Sequence, residues 1–190
     1  MRRKAFLLAA AIALASHQAH AAQWAVDMGH STLGFTGSQG GSSFTGRFTR
    51  WQAEIDFDPA DPAAGHARVV IDMASAATGD AQKDEALPQA DWFEVKRFPQ
   101  AVFVATGFRA KGGNAYDAVG TLTIRGLKKD VVLPFTLDLE PAPDPVHAHA
   151  VGRLPLVRTD YGVGQGAWSS GQIVGLEVVV TLDLVATRQP

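Results

Sequence analysis

Apolar and polar residues alternate in short runs along most of this chain, the period-2 signature of strands with one buried face. Leu33 and Phe35 share one face of a first run, and Trp51, Ala53, Ile55 and Phe57 one face of a second that stops at the turn DPADP, residues 58–62. In the third, Ala67, Val69, Ile71 and Met73 face one way while Arg68 and Asp72 face the other. Later runs follow with Ala101, Phe103 and Ala105, with Leu122 and Ile124, with Val131, Leu133, Phe135 and Leu137, and with Val178, Val180, Leu182 and Leu184.

Turn chemistry separates these runs. Lys111-Gly112-Gly113-Asn114 and Arg125-Gly126-Leu127-Lys128-Lys129 read as hairpin turns, so neighbouring strands are expected to be antiparallel. One polar, helix-like stretch interrupts the pattern, GDAQKDEALPQ. Thr78 or Asp80 can cap a short helix between Asp80 and Leu87 that carries Lys83, Asp84 and Glu85 outward and ends at Pro88. Pro141-Ala142-Pro143-Asp144-Pro145 reads as a stiff exposed loop before a strand at His147. The layout predicts an all-β fold, a single antiparallel barrel of about eight strands with one helical lid, whose interior is filled by side chains or holds a small ligand.

The first residues add a destination. Arg2, Arg3 and Lys4 form a basic region, residues 5–15 an apolar one of about eleven residues where a span needs roughly twenty, and Ala19-His20-Ala21 a small-x-small cleavage site. We expect a secretory signal over residues 1–21 and an exported, periplasmic barrel domain over 22–190 that begins at Ala22. Loss of those three cations leaves 14 of the 17 basic residues against 19 acidic ones, a formal charge of −5 that argues against nucleic acid as a partner. With no cysteine, disulfide, thiol and cysteine–metal chemistry are excluded. The 19 glycines and 10 prolines fit one compact β-rich domain.

Seven blocks in order, WAVDMGHSTLGF, GRF with IDFDP, VVIDMASAATGDAQKDEAL, DWFEVKRFPQAVF, GTLTIRGLKKDVVLPF, RTDYGVG and VGLEVVVTLDLVA, resemble the YceI-like family of exported polyisoprenoid-binding proteins across the mature chain. The resemblance implies an extended, lipocalin-like antiparallel barrel holding a prenyl or fatty chain. Two departures, SQGGSSF after the first strand and Gly164-Gln165-Gly166-Ala167-Trp168 after RTDYGV, resemble a sub-branch found with membrane cytochrome b561 domains. That likeness implies an isoprenoid quinone as ligand and a transient membrane or respiratory-protein contact, although this chain has no cytochrome segment.

A lipid tunnel needs apolar walls, and burial contributes about 0.8 kcal/mol per CH₂. The wall candidates are Leu33, Phe35, Ile55, Phe57, Val69, Ile71, Phe103, Leu122, Ile124, Leu133, Phe135 and Leu137, with Trp92, Phe93 and Trp168 closing one end. Arg125, Lys128, Lys129, Lys83, Lys96 and Arg97 are candidate donors for a polar head, with plain solvated loop charge as the other reading. Alternation alone does not separate tunnel wall from packed core. The competing function is therefore an accessory protein with a filled barrel, acting through protein contacts.

Catalysis and metal binding find little support. His147-Ala148-His149 puts two imidazoles on one strand face, where a third ligand would be needed to hold a metal. His30 and Ser31 are adjacent, which in a strand sends a base and its nucleophile to opposite faces; the family resemblance implies a structural role for them, anchoring the strand start. Asp27, Asp91 and Asp160 sit at strand or turn starts suited to accepting backbone N–H groups. The GVGQG run, residues 162–166, lacks the helix and lysine of a phosphate loop. The sequence thus predicts a carrier with no cofactor, metal or catalytic residue.

Overall fold

The computed structural model describes residues 22–140 and 146–189; the expected leader and the proline-rich run at 141–145 lie outside them. Its strands are β1 (Gln23–Val26), β2 (Thr32–Gln39), β3 (Ser42–Phe48), β4 (Trp51–Asp56), β5 (His66–Asp72), β6 (Ala76–Ala77), β7 (Gln100–Gly112), β8 (Ala115–Ile124), β9 (Leu127–Leu139), β10 (His147–Val157) and β11 (Glu177–Arg188), with one α-helix, α1 (Ala81–Ala86).

Several of these are halves of a single barrel strand. β1 and β2 both pair antiparallel with β11, Val26 opposite Ala186 and Thr32 opposite Asp183. Ser31 spans the break between them: its hydroxyl donates to the Val185 carbonyl (3.2 Å) and accepts from the Val185 N–H (2.9 Å). This is the structural role expected near His30. β3 and β4 pair with β2 and β1 respectively, and β6 and β5 with β3 and β4. Counting each broken strand once gives eight, all antiparallel, closing into the expected barrel. The alternating residues named above turn inward to one apolar core.

Three local features differ from expectation. SSFTGRF forms β3 with Phe44, Gly46 and Phe48 on its inward face; Gly46, against which the Phe35 ring packs, breaks the apolar period between the two phenylalanines. The β8–β9 turn is only Arg125 and Gly126, and Leu127, Lys128 and Lys129 belong to β9. In the lid, Asp80 is the helix cap, accepting from the Gln82 and Lys83 amides, but Asp84 folds back instead of pointing outward and accepts from the Thr78 amide and hydroxyl (2.7 Å each).

Both carboxyls are held below the usual value of 3.8, Asp80 chiefly by its bond from Lys83 and Asp84 chiefly by the Thr78 amide. A depressed carboxylate stabilises the fold above its unfolded pKa, and this contribution is lost as pH falls through the lower folded one. The lid is therefore expected to loosen below about pH 4, seen as faster hydrogen exchange at residues 78–87 than in β7. Asp84→Asn should show that faster exchange at neutral pH.

The ends of the barrel are built differently. At the lid end lie the β2–β3 turn, residues 78–99, the β8–β9 turn and the loop 158–176. The opposite end holds residues 57–65 and the β7–β8 turn. β9 and β10 pair only from Leu139 opposite Ala148 to Phe135 opposite Gly152. Beyond that point β9 continues on β8 alone, to Leu127, and β10 on β11 alone, to Val157.

Candidate functional site

A cavity of about 230 Å³ runs inside the barrel, and its surface is carbon almost throughout. Small side chains make the room. Ala67, Ala101 and Ala118 line it from β5, β7 and β8, and so do Ala150 and Ala148 on β10, the latter opposite Ala186 on β11. Alanines on facing strands leave space that leucine or phenylalanine would occupy.

Leu33, Phe35, Ile55, Phe57, Val69, Ile71, Trp92, Phe93, Phe103, Leu122, Ile124, Leu133, Phe135 and Leu137 all line this cavity. Trp168 does not; it lies against Trp92, ring centroids 5.6 Å apart, behind the wall. The pattern reading missed Phe108, because a bulge between Ala105 and Gly107 shifts the alternation by one and turns Phe108 inward. It also missed Leu154, Val163 and Val174. The alternation of β10 is carried by Ala148, Ala150 and Gly152, too small to register as apolar, and the other two stand in a loop.

The opposite end is sealed by an aromatic cluster. Phe57 packs edge-on against Phe108 (4.9 Å), Tyr116 (5.4 Å) and Phe135 (6.5 Å), and the Trp24 indole donates to the Phe57 carbonyl (2.9 Å). The lid end is covered by loop side chains. Leu87, Trp92 and Phe93 come from the lid and Val163 and Val174 from the β10–β11 loop.

Arg158 holds that loop. Only 4% exposed, its guanidinium donates to the carbonyls of Val163 (2.8 Å), Gly164 (3.1 Å), Val174 (2.7 Å), Gly175 (2.8 Å) and Trp168, and it lies over the Trp92 ring at 5.4 Å. Burial lowers its pKa, and no carboxylate pairs with it among the described residues. A guanidinium still keeps its proton at any working pH. Gly164 permits the approach: its φ is +79°, and a Cβ there would fall 2.0 Å from an Arg158 nitrogen. The Asp91 carbonyl accepts from the Gly164 and Gln165 amides (2.7 and 2.8 Å), tying loop to lid through backbone rather than through the Asp91 carboxylate.

The candidate head-group donors divide. The Arg125 side chain is 7% exposed, pairs with Glu94 (3.0 Å) and donates to the Ala90 (2.8 Å) and Trp92 carbonyls. It clamps the lid to the β8–β9 turn and is not available to a ligand. Lys83 pairs with Asp80 (2.7 Å) and lies over Phe44 (5.5 Å). Lys96, Lys128 and Lys129 are exposed at this end, as is Arg97, 3.9 Å from Glu94.

The histidines stand outside the barrel. His149 meets Asp183 (2.7 Å), His147 lies 3.2 Å from the Thr187 hydroxyl, and His30 meets Asp27 (2.8 Å), which also accepts from the Gly29 amide. No cluster of three metal-ligating side chains occurs among the described residues.

Residues 24–186 match the YceI-like domain. A UPF0312 protein of Pseudomonas savastanoi pv. phaseolicola is 30% identical over 171 residues, 87% of this chain and 88% of its own length. Among solved structures, Burkholderia cenocepacia BcnA superimposes with a TM-score of 0.81 at 36% identity, covering 86% of this chain and all of that one. A polyisoprenoid binding domain from Saccharophagus degradans, implicated in plant cell wall breakdown, shares the fold at 17% identity, with a TM-score of 0.65 over 87% of this chain and 98% of its own. An eight-stranded barrel, a carbon-walled interior and a domain match over nearly the whole described chain agree: this chain belongs to the YceI-like family.

Proposed function

We propose that this chain is an exported lipid-binding barrel that holds the hydrocarbon of a long-chain amphiphile, such as a polyisoprenoid or an isoprenoid quinone, and carries or sequesters it in the periplasm. The observation that carries this reading is a cavity whose wall is carbon almost throughout, with Arg158 and Tyr161 among its polar-bearing residues; this suits an alkyl or prenyl chain and would desolvate any polar head brought deep into it. The head then rests at the lid end, where the covering side chains come from loops. The Saccharophagus domain with this fold is described as polyisoprenoid binding, which supports the same ligand class. A barrel filled by its own side chains, as an accessory protein would have, is at odds with the alanines on the wall.

Ala150→Phe tests the reading. Ala150 lines the cavity opposite Leu137 and Leu184. In a tunnel the new ring occupies the ligand's place, so native mass spectrometry of protein taken from its own periplasm should lose the apolar mass that accompanies the parent, with the thermal midpoint unchanged. In a filled core the same change overpacks and costs about 1–3 kcal/mol. A parent that carries no apolar mass sinks the carrier reading.

A further inference from the structure

We propose that the unpaired stretch between β9 and β10 is a lateral port, through which hydrocarbon passes between the barrel and an anionic lipid bilayer lying against that side of the lid end. The proposal rests on the carrier reading and concerns its route. Continuing the register past Phe135 and Gly152 would bring Pro134 opposite Arg153 and Val132 opposite Pro155, but neither pair forms. Each separated edge holds a proline, which removes a backbone donor and bars full pairing. The sequence itself keeps this seam open.

The flanks of the gap fit a bilayer. Leu133, Leu154 and Leu156 line the cavity from its two sides, while Leu127, Val132 and Val157, on the same two strands, are 47, 44 and 42% exposed. Hydrocarbon can therefore move along a continuous apolar path from inside to outside without crossing water. Lys128 and Lys129 stand on β9 beside it, and Lys96 and Arg97 on the adjoining lid turn; the nearby acids are Asp91, Asp130, Asp160, Glu177 and Glu94, the last shared between Arg97 and Arg125. At the opposite end, residues 54–66 hold Glu54, Asp56, Asp58 and Asp61 with no lysine or arginine, and by the β7–β8 turn Arg109 and Lys111 stand beside Asp117, which pairs with Lys111 (3.3 Å). An anionic surface repels that end and admits the lid end.

The absence of native cysteine allows a clean test. Val132→Cys with Pro155→Cys, joined by a short bis-maleimide, bridges the gap. Thr136→Cys with Val151→Cys, joined likewise, bridges the same two strands where they already pair. Lipid transfer from the full mature chain to phosphatidylglycerol vesicles is then timed, with bound lipid checked by native mass spectrometry. Bridging 132 to 155 should slow transfer about tenfold or more, a barrier increase of about 1.4 kcal/mol or more, while bridging 136 to 151 and single-cysteine controls leave it unchanged. Lys128→Glu with Lys129→Glu should weaken vesicle binding about tenfold, and phosphatidylcholine vesicles should bind the parent as weakly. Equal rates with and without the 132–155 bridge, in protein that holds lipid, overturn the port alone; a parent without lipid overturns the port and the carrier reading together. Parent binding equal on both vesicle types overturns the anionic surface as partner.

Discussion

Replacing Arg158 with methionine is expected to destabilise the protein by about 3–5 kcal/mol, because five carbonyls that now share one guanidinium would be left without a donor inside a buried loop. Methionine keeps much of the apolar stem while removing the guanidinium that lies over Trp92, so the loss isolates the charged head. Arg158→Lys should be nearly as damaging: an ammonium is a compact charge and cannot reach carbonyls of residues 163, 164, 168, 174 and 175 from one position. Denaturant titration reads the loss as a shift of the midpoint with the slope preserved. A change under about 1 kcal/mol would mean that the strand ends, rather than the arginine, hold the loop.

Phe57→Ala should cost about 3–5 kcal/mol as well, for another reason. Phe57 is the hub of the sealed end, touching Phe108, Tyr116 and Phe135 and accepting the Trp24 indole bond through its carbonyl. Truncation there opens a void among rigid rings that cannot collapse into it. Phe103, equally apolar and only 8% exposed, lines the hollow section between Val69 and Leu122. Phe103→Leu should alter the chain length of the bound lipid with a smaller loss of stability. Measuring denaturant midpoint and bound mass on both variants separates filler from wall, and a Phe57→Ala protein as stable as the parent would show that the aromatic cluster does not hold that end.

The apolar strands were legible because their period is two and their inward residues are large. Leu33 and Phe35, Ala67 to Met73, and Leu133 to Leu137 were placed on the correct face for that reason. Where inward residues are small the signal fails, as it did at Gly46 between Phe44 and Phe48 and for the alanines of β10, and the smallness that hid those alanines is what leaves the interior hollow. The bulge that turns Phe108 inward changes the count by one, which no fixed period anticipates. Arg125 and Arg158 were hidden for a different reason. Each lies in a glycine-containing turn motif where charge is ordinarily solvated, and only the tertiary fold brings backbone carbonyls around them. Family resemblance, rather than alternation, suggested that the barrel holds a ligand.

The broken strand β1–β2 has its partner at the far end of the chain: Trp24 pairs with Arg188 and Leu33 with Leu182. Until β11 exists, the sheet is an open ribbon with two free edges and no enclosed interior. A chain emerging amino-terminus first must thus extend past Glu177 before the contact that makes it a barrel becomes available. Such long-range pairing is slow to form, so closure waits on Glu177–Arg188, and a nascent chain halted at residue 176 presents both edges to chaperones.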